Sequence, residues 1–261
     1  MINTIADKVS GRAAPHDESP DSSEASGRIC ISGWHIASFL AVISLMLLGA
    51  NILGFVLEAV LQEGSLLAAF VFKYFNFDRE RNIPAYFATA LLLLVAALLF
   101  LTYLLKSKGT RIKGATNWLF LSLVFLFLSI DENIQIHEVI GRLVKGMLPQ
   151  NLADYVLWAW VLPYVILFIG IGAYLGRFVL SLPSQTRNLF ILSGFLYVTG
   201  AVVFDILQGH FHSHFVYNRV FYSIEESMEM GGAILFIYAL LQYLSRHKTQ
   251  VVLVEKTDGG S

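Results

Sequence analysis

Six stretches of this chain are each apolar for about the length that crosses a bilayer, near residues 36–60, 84–105, 117–138, 155–177, 188–209 and 219–244. A helix rising about 1.5 Å per residue needs roughly 20 apolar residues to span the hydrocarbon core. No water enters that core to satisfy a backbone amide, so each stretch must hydrogen-bond within itself as a helix. The expected fold is therefore all-α, a polytopic membrane helix bundle of about six transmembrane helices. Composition agrees, with 56% hydrophobic and 14% charged residues among 261, where a soluble domain carries about a quarter charged. Residues 33–245 form the expected transmembrane domain, between a polar tail at 1–32 and a second tail at 246–261.

The first tail is acidic and Ser-rich and has too few apolar residues to fold, so disorder is expected there. It shows no short apolar core with a cleavage site, so no signal peptide is expected. Net charge is −1, which offers no basic field to collect phosphates and speaks against a nucleic-acid partner. Cys30 is the only cysteine, which rules out an internal disulfide and a cysteine-held zinc.

Charge also predicts direction. Placing both tails, the 106–114 loop and the 178–187 loop with its flanking Arg177 on one side collects 12 of the 18 Lys and Arg residues there. Cytoplasmic loops carry the basic excess, so both termini are expected in the cytoplasm. Twelve of the 19 acids, and four of the seven histidines, then fall on the opposite, outer side.

Those outer groups lie on helix faces at similar depth. At 100° per residue, Asp131, Gln135, Glu138 and Arg142 share a narrow arc of the third span, with Glu132 flanking and His137 turned away. Tyr222, Glu225, Glu226 and Glu229 share an arc of the sixth span, Asn51, Phe55, Glu58 and Gln62 one of the first, and Asp205 and Gln208 one of the fifth, joined by His212 if that helix continues so far. A carboxylate at mid-bilayer costs about 2.5–3.5 kcal/mol on insertion scales, so the cluster must be hydrated, protonated, paired or bound to a metal. The expectation is an outward-facing polar cavity walled by spans one, three, five and six. Its cavity or proton-binding groups are Glu58, Asp131, His137, Asp205, His212 and Glu226.

Three uses of such a cavity stay open. Histidine and carboxylate are ligands for zinc, iron or manganese. Glu225 with Glu229, and His210 with His214, have the i, i+4 spacing to grip one divalent metal. A metal-assisted enzyme would then use Glu132 or Glu138 as the general base on a bound water, acting on a lipid or other amphiphile. A proton- or cation-coupled transporter could use the same acids, although the inner stretches LLLLVAALLF and ILFIYALL hold no ionisable group. The third use is structural, with interfacial ion pairs tying helix ends together. Gly170, Gly172 and Gly176 in the fourth span, with Gly231 and Gly232 in the sixth, are expected to permit close helix packing.

The stretch FDRERNIPAYF, with Asp78, Glu80, Asn82, Ile83 and Pro84, opens the second span, and FLSIDENIQIHE, with Asp131, Glu132, Ile136, His137 and Glu138, closes the third. This pairing resembles a group of uncharacterised bacterial multipass membrane proteins. The resemblance implies an inner (plasma) membrane location and brings no activity or cofactor with it. The His210–His214 spacing also matches an HxxxH pair of zinc-dependent seven-span membrane hydrolases. The spacing of Ser129 to His137 and the number of spans depart from that pattern.

Overall fold

Polar side chains start the helices of this protein where the apolar runs begin. A computed structural model describes residues 32–61, 65–107, 114–149, 161–211 and 214–246. Ser32 accepts the Trp34 amide at the start of α1 (Gly33–Val60), and Ser65 accepts the Ala68 amide at the start of α2 (Leu66–Phe75). Each satisfies an amide that has no partner inside its own helix. Asn82 does the same for α3 (Ile83–Ser107), accepting the Ala85 amide at 3.1 Å. Pro84 sits in that first turn, where its missing N–H removes no helical hydrogen bond.

The remaining elements are α4 (Ala115–Ile134), α5 (Ile136–Met147), α6 (Val161–Leu180), α7 (Ser184–Val198), a π-helical turn at Thr199–Phe204, α8 (Asp205–His210) and α9 (Phe215–Arg246). Six helical runs among the described residues are long and apolar enough to cross a membrane: α1, α3, α4, α6, the continuous run Ser184–Gln208, and α9. The chain is an all-α integral membrane protein. The fourth apolar stretch is described only from Val161; residues 155–160, like His212 and the two tails, lie outside the described residues.

The bundle is built around α9 and the α3–α4 hairpin. Val95 and Leu99 on α3 meet Ile237, Ala239 and Leu240 on α9 in a layer with no solvent exposure. Between α3 and α4, Ser122 donates to the Ala96 carbonyl at 2.8 Å and Ser129 to the Thr89 carbonyl at 3.0 Å. Such polar contacts hold helices together where no hydrophobic effect distinguishes protein from lipid. Helix α9 approaches α7 and the π turn at two glycines. A Cβ at Gly232 would lie 2.9 Å from the Ser193 carbonyl, and one at Gly200 would lie 2.9 Å from the Glu225 carbonyl.

The other glycines behave differently from the sequence expectation. A Cβ at Gly170, Gly172, Gly176 or Gly231 would meet nothing within 4 Å, so these positions do not pack helix against helix. Helix α6 instead leans on α4 through aromatic pairs, Phe127–Tyr164, Phe120–Tyr174 and Trp118–Phe178. The start of α1 lies beside the end of α9, with Trp34 against Tyr238 and Gly33 against Leu241. Phe39, Leu45 and Met46 on α1 are exposed, as residues facing lipid are.

Candidate functional site

The third span does not run on to Glu138. Helix α4 stops at Ile134, and Gln135 takes a left-handed conformation with φ of 60°. A non-glycine residue with positive φ is strained unless its surroundings hold it there. Asp131 supplies that hold. Its carbonyl accepts the Gln135 amide at 2.7 Å, and its Oδ1 accepts the His137 amide at 2.8 Å. The carboxylate thus satisfies an orphan amide in the first turn of α5, from six residues upstream. The expected single arc of Asp131, Gln135, Glu138 and Arg142 is corrected accordingly, since the chain changes direction within it.

The reversal folds His137 back onto Asp131. Its Nδ1 lies 3.3 Å from Asp131 Oδ1, while Tyr164 of α6 donates to Asp131 Oδ2 at 2.9 Å. Burial works against charge on the His137 ring. The hydrogen bond and charge of Asp131, joined by Glu80 and Glu132, outweigh it and hold His137 above its ordinary value of 6.5.

These residues wall a cavity of about 550 Å³ at the end of the bundle away from Trp34 and Tyr238. Helix α4 contributes Asp131 and Glu132, α9 contributes Glu225, Glu226 and Glu229, and Asp205 and Gln208 come from α8. Asp and Glu outnumber Arg and Lys in the wall by nine to three, and the three bases are Arg79, Arg142 and Lys145. Among the described residues no donor reaches Oε2 of Glu225 or Oε2 of Glu226, although both atoms are buried. A buried carboxyl oxygen without a donor costs about 1–3 kcal/mol or more.

The loop before α3 forms part of the wall. Phe77 donates its amide to Asn51 Oδ1 at 3.0 Å, Asn82 donates to the Asn76 carbonyl at 2.6 Å, and Gln208 donates to Asp78 Oδ1 at 3.0 Å. Partial burial raises the Asp78 carboxyl above its ordinary 3.8 against the pull of Arg79 and the Gln208 hydrogen bond. Burial likewise raises Glu80 above 4.5, and the charge of Glu138 adds to the rise.

The structure separates the sequence candidates into two groups. Asp131, Glu132, His137, Glu138, Asp205, Glu225, Glu226 and Glu229 all line the cavity. Glu58 does not; it is drawn into an ion pair with Arg219, whose guanidinium also stacks on Phe55 and Phe215. Span one therefore ties α1 to α9 and does not wall the cavity. Nor do His210 and His214 line it. Both are exposed and pack against Phe211, with His214 also against Tyr217. The expected four-ligand set of His210, His214, Glu225 and Glu229 is thus not assembled, because the two exposed histidines pack on Phe211 and lie outside the cavity that holds the two glutamates. Among the described residues no three His, Cys, Asp or Glu side chains converge closely enough to hold one ion.

Tyr164 and Tyr197 entered the wall without a sequence signal beyond their type. A tyrosine buried in an apolar span needs a partner for its hydroxyl, but only the fold names that partner. The π turn beside Tyr197 is a second such feature, since extra residues per turn re-aim the following side chains and recur at functional sites.

Residues 36–244 match the model of a family described as a domain of unknown function, DUF8692. The chain belongs to that family. The DUF8692 match runs from the first turn of α1 to the last turns of α9, so it takes in the cavity and the whole described bundle. No curated protein and no solved structure matches the chain.

Proposed function

We propose that this membrane protein takes a cationic, hydrogen-bond-donating group, such as an ammonium, into its acid-lined cavity and handles a proton there. The observation that carries the reading is the pair of buried, donorless oxygens on Glu225 and Glu226. An ammonium supplies three donors and a positive charge to such a site. Asp131 is the positioning residue for His137, fixing its ring beside the carboxylates as a proton donor or acceptor in an acid–base reaction. Asp131 also keeps Tyr164 and His137 in one hydrogen-bonded group.

A metal-assisted reaction on these carboxylates would need a ligand set other than His210 and His214 with Glu225 and Glu229. Transport through the bundle would need a passage beyond the fully buried layer of Val95, Leu99, Ile237 and Leu240. That layer lies about 12 Å further along α9 than Glu229, taking about 1.5 Å per residue. The cavity is a bowl, and binding with acid–base chemistry suits it better than a path. Lysine and arginine placement supports a bowl opening away from the cytoplasm, with both termini cytoplasmic, and the resemblance of the FDRERNIPAYF and FLSIDENIQIHE stretches supports a bacterial inner membrane.

The test is calorimetric titration of butylammonium and of butanol into the protein in nanodiscs. Butylammonium should bind and butanol should not, and Glu226→Gln should weaken the amine at least ten-fold. Equal affinity for both, or an amine affinity unmoved by Glu226→Gln, overturns the reading.

A further inference from the structure

A second cavity, of about 460 Å³, lies between α4, α6, α7 and α9 within the apolar part of the bundle. Its wall is hydrocarbon almost throughout, and Ser193, one of its few polar residues, is satisfied by the Leu189 carbonyl at 2.6 Å. Leu128, Phe168 and Tyr197 belong to the walls of both cavities, so the apolar cleft begins where the acidic one ends. From Phe168 to Leu180 it follows α6 for about 18 Å, at about 1.5 Å per residue.

The cleft exists because of glycines that nothing fills. A Cβ at Gly172, Gly176 or Gly194, all in its wall, would meet no atom within 4 Å. Ordinary protein interiors leave few voids larger than a water molecule, and an apolar void does not hold water. A cleft of this kind, open to the surroundings at the exposed Leu180 and Ile191, is fit for hydrocarbon inside a bilayer. Its junction with an acidic bowl makes the combined space polar and negative at one end and long, narrow and apolar at the other.

We propose that the cleft holds the alkyl chain of a long-chain amine whose ammonium sits among the carboxylates of the acidic cavity. This rests on the cationic-ligand reading of that cavity and adds the class of the ligand, a chain-bearing amphiphile. The ammonium meets Glu225 and Glu226, and the chain passes Tyr197 and Phe168 to run between α6 and α7. Charge complementarity selects the amine over neutral or anionic amphiphiles, and continuity of the two cavities selects a chain over a short polar ligand.

Photolabelling tests this on the full chain in phosphatidylcholine nanodiscs, with a hexadecylamine bearing a diazirine at its chain end. Labelled peptides should map to α6 and α7 around Gly176 and Gly194. Excess hexadecylamine should abolish the labelling, while excess hexadecanol leaves it. Gly194→Leu and, separately, Gly172→Leu should each reduce labelling at least ten-fold and leave butylammonium binding intact. Because the competition arm uses the unaltered chain, the proposal can fail even where a leucine variant does not fold. Labelling insensitive to the leucine variants, with butylammonium still bound, overturns the chain slot and leaves the amine site standing. Loss of butylammonium binding in the unaltered protein removes the underlying reading as well. Equal labelling by a diazirine-bearing phosphatidylcholine, unaffected by Glu226→Gln, assigns the cleft to bilayer lipid and overturns the proposal.

Discussion

Asp131 holds His137 twice, through the backbone amide at 2.8 Å and beside ring Nδ1 at 3.3 Å. One carboxylate thereby stabilises the helix break at Gln135 and favours the charged form of the histidine beside it.

Asp131→Asn should lower the titration midpoint of His137, because burial then acts on the ring with less negative charge to oppose it. Histidine-selective NMR, with the resonance assigned through His137→Gln, reads this directly. A midpoint that stays put would mean Asp131 does not control the ring. Asp131→Ala, which also orphans the His137 amide, should cost about 1–3 kcal/mol.

Stability should fall as pH rises. His137 is raised in the folded state, so its contribution is fully present below its ordinary 6.5 and lost as pH climbs through the raised value. Asp78 and Glu80 are raised as well, so folding prefers their protonated forms and loses stability upward from 3.8 and 4.5. Thermal melts in nanodiscs should give a higher Tm at about pH 5.5 than at about pH 8.5. His137→Gln should flatten the part of that slope that begins at about 6.5.

Asn51 is 1% exposed and joins three elements, donating to Ser223 Oγ at 2.8 Å and accepting the Phe77 amide at 3.0 Å. Asn51→Leu should destabilise by about 2–3 kcal/mol, since it leaves a buried N–H without an acceptor. It should also weaken butylammonium binding, because Phe77 leads into the loop that bears Asp78 and Glu80. An unchanged Tm would show that the loop is held by other contacts.

Gly200→Ala and Gly231→Ala should separate cleanly. At Gly200 the new methyl meets the Glu225 carbonyl at 2.9 Å and Glu229 Cγ at 3.0 Å, an overpacking expected to cost about 1–3 kcal/mol. At Gly231 it meets open space, and alanine should be neutral or stabilise by up to about 1 kcal/mol through helix propensity. Equal melting temperatures for the two variants would contradict the close approach of α9 to the π turn.

In a Cys30→Ser background, Lys145→Cys should react with an impermeant maleimide on intact cells, and Lys106→Cys only after permeabilisation. The reverse pattern would turn the bundle over and make the bowl cytoplasmic.

Hydropathy is a local property that adds up along the chain, so all six spans were legible before any folding was considered. The acids of α9 share one face for the same reason: an unbroken helix carries its own periodicity. At Gln135 that reasoning ran out, because the helix ends on a side-chain hydrogen bond that no helical wheel contains. His210 and His214 have the spacing of a metal pair, yet both stay exposed beside Phe211, outside the cavity that Glu225 and Glu229 line. The glycines of α6 have the composition of a packing face. In the fold a Cβ at Gly170, Gly172 or Gly176 would meet nothing within 4 Å, and α6 contacts α4 through aromatic pairs instead. Sequence by itself determined that this chain crosses a membrane and concentrates its acids toward one end. Only the tertiary structure decided which of those acids meet and what apolar space lies beneath them, because both depend on contacts between residues far apart in the chain.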